Sequence, residues 1–145
     1  MRITRHTDYA LRVLVFLAAR PGERVSTESI ARAYDISLHH LQKVVRQLGE
    51  HGFLALFRGA GGGVELAQDP KRISIGAVVR ALETTSSLVE CFTPETNRCV
   101  IAPACGLKSA LGKAQEAFFS ELDGVTLDSV AQGRNARRLR ELTGG

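Results

Sequence analysis

Apolar residues recur at helical spacing from the start of the chain. Over residues 4–19, Tyr9, Ala10, Val13, Leu14 and Leu17 follow Thr4 or Thr7 as N-cap, and Leu11, Val15 and Phe16 widen the stripe until most of the helix is apolar. So wide a stripe predicts a buried helix, covered in part by another chain. Pro21-Gly22 ends it. A short helix over 27–33, opened by Ser26 or Thr27, turns Ile30 and Ala31 inward. Tyr34-Asp35-Ile36 makes a tight connection, and Ser37 starts a helix running to about 50. Its inner stripe is Leu38, Leu41, Val44, Val45 and Leu48, and Gly52 stops it. His39, His40, Gln42, Lys43, Arg46 and Gln47 remain on its outer side.

The pattern then changes period. Phe53–Phe57 and Val64–Leu66 read as short strands joined by Arg58-Gly59-Ala60-Gly61-Gly62-Gly63, a hairpin with a basic, glycine-rich tip. That loop lacks the Lys-Ser/Thr of a phosphate-binding P-loop and sits between strands rather than before a helix, which argues against nucleotide binding. Ser74 caps a helix at about 75–84, with Ile75, Val78, Val79 and Leu82 inward. A loop rich in breakers follows, with Pro94, Asn97, Pro103 and Gly106. Beyond it Leu107, Leu111, Ala114, Phe118 and Leu122 form one narrow stripe suited to pairing two helices, which predicts a homodimer. From residue 131 on, Gly133 and the arginine run predict a weak helix at best and a mobile tail.

Helix, turn, basic helix and hairpin, in that order, predict a mainly α fold with a small β-hairpin wing: a winged helix-turn-helix over 1–84. The remaining segments are a loop over 85–106, a dimerisation helix with its following segment over 107–130, and the tail over 131–145. The second helix of the motif would enter the major groove of double-stranded DNA. There Ser37, His39, His40, Gln42 and Lys43 reach base edges or phosphates and Arg46 meets phosphate. Arg58 enters or lines the minor groove, and Thr27, Gly59 and Gly61 complete the expected contact set. His6 and His51 have no motif around them and read as surface residues.

Charge sharpens this division. Residues 1–80 carry a net +5, residues 81–124 a net −3 and residues 125–145 a net +2, within a total of +4. A basic front half suits a polyanionic partner. The N-terminus has basic residues before an apolar run, but Thr7, Asp8 and Arg12 interrupt it. No stretch approaches the roughly 20 apolar residues of a membrane span, so the reading is a cytoplasmic protein.

The loop over 85–106 holds every cysteine of the chain, Cys91, Cys99 and Cys105, spaced C-x7-C-x5-C. Clustered thiols in odd number point to a soft metal or redox site rather than a disulfide framework. Three thiolates suit an iron–sulfur cluster, zinc or copper(I). Zinc sites commonly show tighter pairs such as C-x2-C, which are absent, so a zinc-stabilised DNA-binding protein is the remoter alternative. A thiol redox enzyme would need C-x-x-C or a catalytic partner for the thiols, and neither is present. The chain therefore does not read as an enzyme. Phe92, Val100 and Ile101 flank the cysteines and could shield a cofactor from water.

Three stretches together carry a family resemblance over roughly residues 1–130: RITRHTDYALR at the start, RGAGGGVEL in the wing, and ECF, a lone cysteine, then PACGLKSAL. The chain resembles the iron–sulfur winged-helix transcription regulators typified by NsrR, IscR and RirA, and within them the nitric-oxide-sensing NsrR type. The resemblance implies a homodimeric repressor of palindromic operators, with an iron–sulfur cluster on Cys91, Cys99 and Cys105. That cluster is expected as 4Fe–4S, with 2Fe–2S the alternative. IscR-like members supply a histidine three residues after the last cysteine, where this chain has Lys108, a poor ligand while protonated. NsrR-like members can use an aspartate of the partner's first helix, which here is Asp8. Arg12 would support Asp8 from beside the ligand. The same two residues stand i,i+4 on a helix, where an ordinary ion pair is the simpler expectation. The x7 interval is nearer the iron-responsive type, so sensing of iron or cluster supply is the alternative signal.

Overall fold

The computed structural model describes residues 3–84 and 87–144. Met1, Arg2, Gly145, and Thr85 and Ser86 at the start of the expected cluster-binding segment lie outside the described residues. The element order is α1 (Arg5–Ala18), α2 (Thr27–Tyr34), α3 (Leu38–Glu50), β1 (Leu54–Phe57), β2 (Gly63–Leu66), α4 (Ile75–Leu82), α5 (Gly106–Asp123), α6 (Leu127–Ala131) and α7 (Arg134–Leu142). Short 3-10 turns occupy Pro70–Arg72, Glu90–Phe92 and Ala102–Ala104. The expected mainly helical fold with one hairpin is the observed one.

α1 is the central helix, packed by α3, α4, α6 and α7 of its own chain. Ala10, Val13 and Leu14 are inaccessible to solvent and Leu17 is buried, each large side chain contributing about 1.5–3 kcal/mol. Thr4 caps the helix by accepting from the Thr7 amide at 3.2 Å. Its own amide and hydroxyl donate to Glu83 Oε1 at 2.8 and 2.7 Å, which ties the start of α1 to the end of α4. Ser26 caps α2 through the Ser29 amide at 3.1 Å. α2 ends at Asp35 with φ 51°, a left-handed conformation that aspartate tolerates better than most residues. α3 then buries Leu41, Val44, Val45 and Leu48. Leu38, expected inside, stands 38% exposed on the first turn.

The hairpin pairs Leu54 with Leu66 and Phe57 with Gly63. Val25 adds a bridge to Val64, with N–O distances of 3.0 and 2.8 Å in the two directions. A Cβ on Gly63 would stand 2.7 Å from the Val25 carbonyl oxygen, so only glycine allows this approach.

α4 and α5 pack together, and Arg80 clamps them. Its guanidinium reaches Glu116 at 2.8 Å and Asp123 at 2.9 Å and lies 4.6 Å from the Phe119 ring centroid. Hydrogen bonding to these two carboxylates raises the pKa of Arg80, and Arg80 in turn lowers that of Glu116. Phe118, Phe119 and Leu122 meet the core, but no residue of α5 is fully buried, and Leu107 is 64% exposed. α4 thus covers the C-terminal half of the stripe that was expected to need a second chain, while the N-terminal half has only partial cover from Phe92.

The end of the chain differs from expectation. Residues after α5 pair back beside α4, with Ile75 N to Val125 O and Leu127 N to Ile73 O both 2.8 Å. Instead of a mobile tail over 131–145, α7 docks on the end of α1 with Ala136 buried. Gln132 Nε2 donates to Ala18 O at 2.7 Å and Arg140 Nη1 to Ala19 O at 2.8 Å. Terminal carbonyls of a helix lack internal partners and favour cations, so tertiary bonds order a segment whose local propensity is poor.

α4 and α5 approach closely at Gly76, where a Cβ would stand 2.5 Å from the Asp123 amide nitrogen and 2.7 Å from its Cα. Gly76→Ala is therefore expected to destabilise the protein by about 1–3 kcal/mol. Gly106, at the first turn of α5 with open space around it, should accept alanine with no loss or a gain of up to about 1 kcal/mol. Urea denaturation of the two variants beside wild type measures both.

Candidate nucleic-acid interface and metal centre

Ser37, His39, Gln42, Lys43 and Arg46 are exposed along α3. Ser37 occupies the N-cap position but makes no capping bond with its side chain. Its hydroxyl is therefore available to a ligand. Arg46 lies 3.6 Å from Glu50, an exposed i,i+4 pair of little energetic weight. At the wing tip Arg58, Gly59 and Gly61 are exposed, with φ of 83° and 76° at the two glycines. Thr27 is half-buried in the first turn of α2.

His40 differs from its neighbours. It is half-buried, packed edge-on against Tyr9 of α1 with centroids 5.0 Å apart, and 6.1 Å from His6. Helix geometry explains this: His40 falls one turn before Val44 on the side facing α1. His6 is likewise half-buried rather than a plain surface residue, and its Nε2 is buried with no hydrogen-bond partner. Arg24 braces the base of the wing without any local sequence signature, its guanidinium 3.4 Å from the Phe57 ring centroid and 3.6 Å from Glu65. Only the tertiary bridge of Val25 to Val64 brings it there, so no local pattern announced it.

The three cysteines are free and half-buried. Cys91 lies in the Glu90–Phe92 turn. The Cys99 amide donates to Asn97 Oδ1 at 3.0 Å, and the Cys99 carbonyl accepts from Ala102 at 3.2 Å. Cys105 is the N-cap residue of α5, without a side-chain capping bond. Cys91 and Lys108 line one cleft of about 710 Å3 with Phe92, Gly112 and Gln115. Val100 and Ile101, expected to shield a cofactor, are 92% and 62% exposed. As donors, three free thiols on one loop suit a soft metal. Among the described residues, however, no three His, Cys, Asp or Glu side chains converge to hold a metal ion. One copy of the chain therefore gathers neither the three thiols nor a pair of them with Asp8.

Asp8 sits on the first turn of α1 in an open cleft of about 350 Å3 with Ile3, Arg5 and Leu11. Arg12 holds both its oxygens, Nη2 to Oδ2 at 2.7 Å and Nε to Oδ1 at 3.2 Å. The hydrogen bond to Asp8 raises the pKa of Arg12. Tyr34 fixes the same stretch of α1 by donating to the Arg12 carbonyl at 3.2 Å, and burial raises the pKa of its phenol. Within one chain the i,i+4 ion pair is thus the arrangement Asp8 adopts. Among the described residues no helix is long and apolar enough to cross a membrane.

A family model, Rrf2, described as an iron-dependent transcriptional regulator, matches residues 3–133. The HTH-type transcriptional regulator NsrR of Bacillus subtilis (strain 168) is 47% identical over 135 residues, covering 92% of either chain. NsrR of Geobacillus kaustophilus (strain HTA426) is 47% identical over 139 residues, 95% of either chain. Among solved structures, oxidized Staphylococcus aureus CymR matches with a TM-score of 0.71 at 27% identity, over 92% of this chain and 98% of its own. T. potens IscR matches with a TM-score of 0.71 at 25% identity, over 90% of this chain and 85% of its own.

The inward placement of His40 has a measurable consequence. His40→Ala removes an aromatic contact between α1 and α3 and should cost about 0.5–1.5 kcal/mol. His39→Ala, on the exposed side, should stay within about 0.5 kcal/mol of wild type. Equal urea midpoints for the two variants would contradict the assignment of faces.

Proposed function

The chain belongs to the Rrf2 family of iron-dependent transcriptional regulators, and on that premise we propose that it is a homodimeric repressor released from palindromic operator DNA when nitric oxide acts on an iron–sulfur cluster. It is a DNA-binding regulator, not an enzyme. The observation that carries the finer reading is the placement of three free thiols on a loop leading into α5, while the helix bearing Asp8 packs directly on α3.

In this reading Cys91, Cys99 and Cys105 hold the cluster, 4Fe–4S with 2Fe–2S as the alternative, and Asp8 of the partner subunit completes the ligand set. The bound cluster supplies iron open to a diatomic ligand, because a carboxylate holds that position less firmly than thiolate. To serve there, Asp8 must leave Arg12, which orients the carboxylate beforehand and recaptures it afterwards. The N-terminal half of α5, with exposed Leu107 and half-buried Leu111, is the surface that pairs two copies. Tyr9, the residue after Asp8, packs on His40 of α3, so a pull on Asp8 reaches the helix carrying Ser37, His39, Gln42, Lys43 and Arg46. Two arrangements of that helix, favoured by opposite states of the ligand set, are what the switch requires. Arg58, Gly59, Gly61 and Thr27 make the flanking DNA contacts, while His40 positions α3.

The x7 interval between Cys91 and Cys99 favours a second reading, a regulator of the same fold that answers to iron or cluster supply. Operator binding by the anaerobically purified protein, followed by fluorescence anisotropy, separates the two. Nitric oxide should weaken binding about tenfold or more, and iron chelation over the same interval should leave it unchanged. The reverse result assigns the iron reading.

Replacing Asp8 with alanine tests the ligand in trans. The variant should retain the fold, lose cluster absorbance faster than wild type, and show an altered nitric oxide response. A cluster spectrum and response identical to wild type removes Asp8 from the ligand set.

A further inference from the structure

Arg20 stands just beyond the end of α1, and only 5% of its surface is exposed. Its guanidinium lies 3.7 Å from the centroid of the Phe16 ring. Nη1 donates to the Phe16 carbonyl at 3.3 Å and Nη2 to Thr143 Oγ1 at 2.7 Å. These bonds use two of the five N–H donors of the group. Among the described residues no carboxylate lies within 4 Å of it. Burial lowers its pKa, with the charge of nearby Glu23 opposing the shift and that of Arg140 adding to it.

Arg20 also lines a cleft of about 570 Å3 between α1, α2 and α7, within the size range of small-molecule sites. Phe16, Val25, Ala33 and Leu142 provide apolar wall, and Ser29 and Arg32 border the cleft from α2. Arg32 already pairs with Glu28 at 2.9 Å, whereas Arg20 has Glu23 only beyond ion-pair distance and keeps donors for a closer anion. Glu23 borders the same cleft and disfavours ligands of multiple negative charge. We propose that this cleft binds a small monocarboxylate with an apolar body, its carboxylate on Arg20 and its hydrocarbon against Phe16, Val25 and Leu142. A carboxylate can take the guanidinium donors in bidentate fashion. Because Thr143 shares the same guanidinium, occupancy bears directly on the docking of α7 against α1. The site is separate from the thiol loop and from Asp8, and it does not depend on the proposed signal.

The test is an NMR titration of the full chain with hexanoate and, at the same pH and ionic strength, with hexanol. Hexanoate should shift the Arg20 Nε–H and Leu142 amide signals saturably at millimolar concentration, and hexanol should not. Arg20→Gln should weaken hexanoate about tenfold or more, the loss expected of a hydrogen bond to a charged group. Should that variant fail to fold, Ser29→Glu decides. It places a glutamate three residues after the Ser26 cap, which favours α2, and sets a negative charge at the cleft, so hexanoate should again weaken about tenfold. Equal shifts from acid and alcohol, no saturation by hexanoate, or undiminished binding by Ser29→Glu overturns the proposal.

Discussion

The last carbonyls of α1 must find donors outside their own helix, and much of the molecule follows from how they do so. Ala18 accepts from Gln132 and Ala19 from Arg140, while Arg20 reaches back to Phe16 and across to Thr143. A buried carbonyl left unpaired costs about 1–3 kcal/mol. The C-terminal segment is therefore part of the body that carries the helix-turn-helix. At the opposite end, Thr4 and Glu83 tie α1 to α4. With both ends held, α1 can be the surface on which α3, α4, α6 and α7 all rest.

That central position sets α1, which carries Asp8, directly against the outward-facing helix α3. Successive residues point different ways: Thr7 is buried, Asp8 lies at an open cleft with Arg12, and Tyr9 meets His40 of α3. Close-packed interiors transmit strain. In the proposed switch, a change in what holds Asp8 acts through Tyr9 and His40 on the helix that offers Lys43 and Gln42 to solvent.

The helices with strong apolar periods were legible in the sequence. Thr4, Ser26 and Ser74 cap α1, α2 and α4 by side-chain bonds to an amide three residues on, as their residue types anticipate, and the hairpin follows the glycine tract. What was not legible depends on distant partners. α7 has an arginine-rich sequence of weak local preference, and only the open carbonyls of α1 give Arg140 a place to bind. His40 reads as one more polar residue of α3 until Tyr9 fixes which side faces inward. Arg24 and Arg20 carry no motif, since Phe57 and Thr143 come to them through the fold. The cysteines were conspicuous, yet their spacing could not reveal that one copy of the loop leaves them unconverged.

α5 spans 18 residues without one fully buried side chain. Its first half is covered only in part, by Phe92 of the Glu90–Phe92 turn, with Leu107 exposed, and Val100 and Ile101 just before it are open to water. A surface of this kind is covered only by mass action, so its state follows the amount of protein present. Paired with a second copy, as proposed above, such a helix makes the regulator sensitive to its own abundance. A cell holding few molecules of it would hold a different mixture of species from one holding many, before any signal arrives.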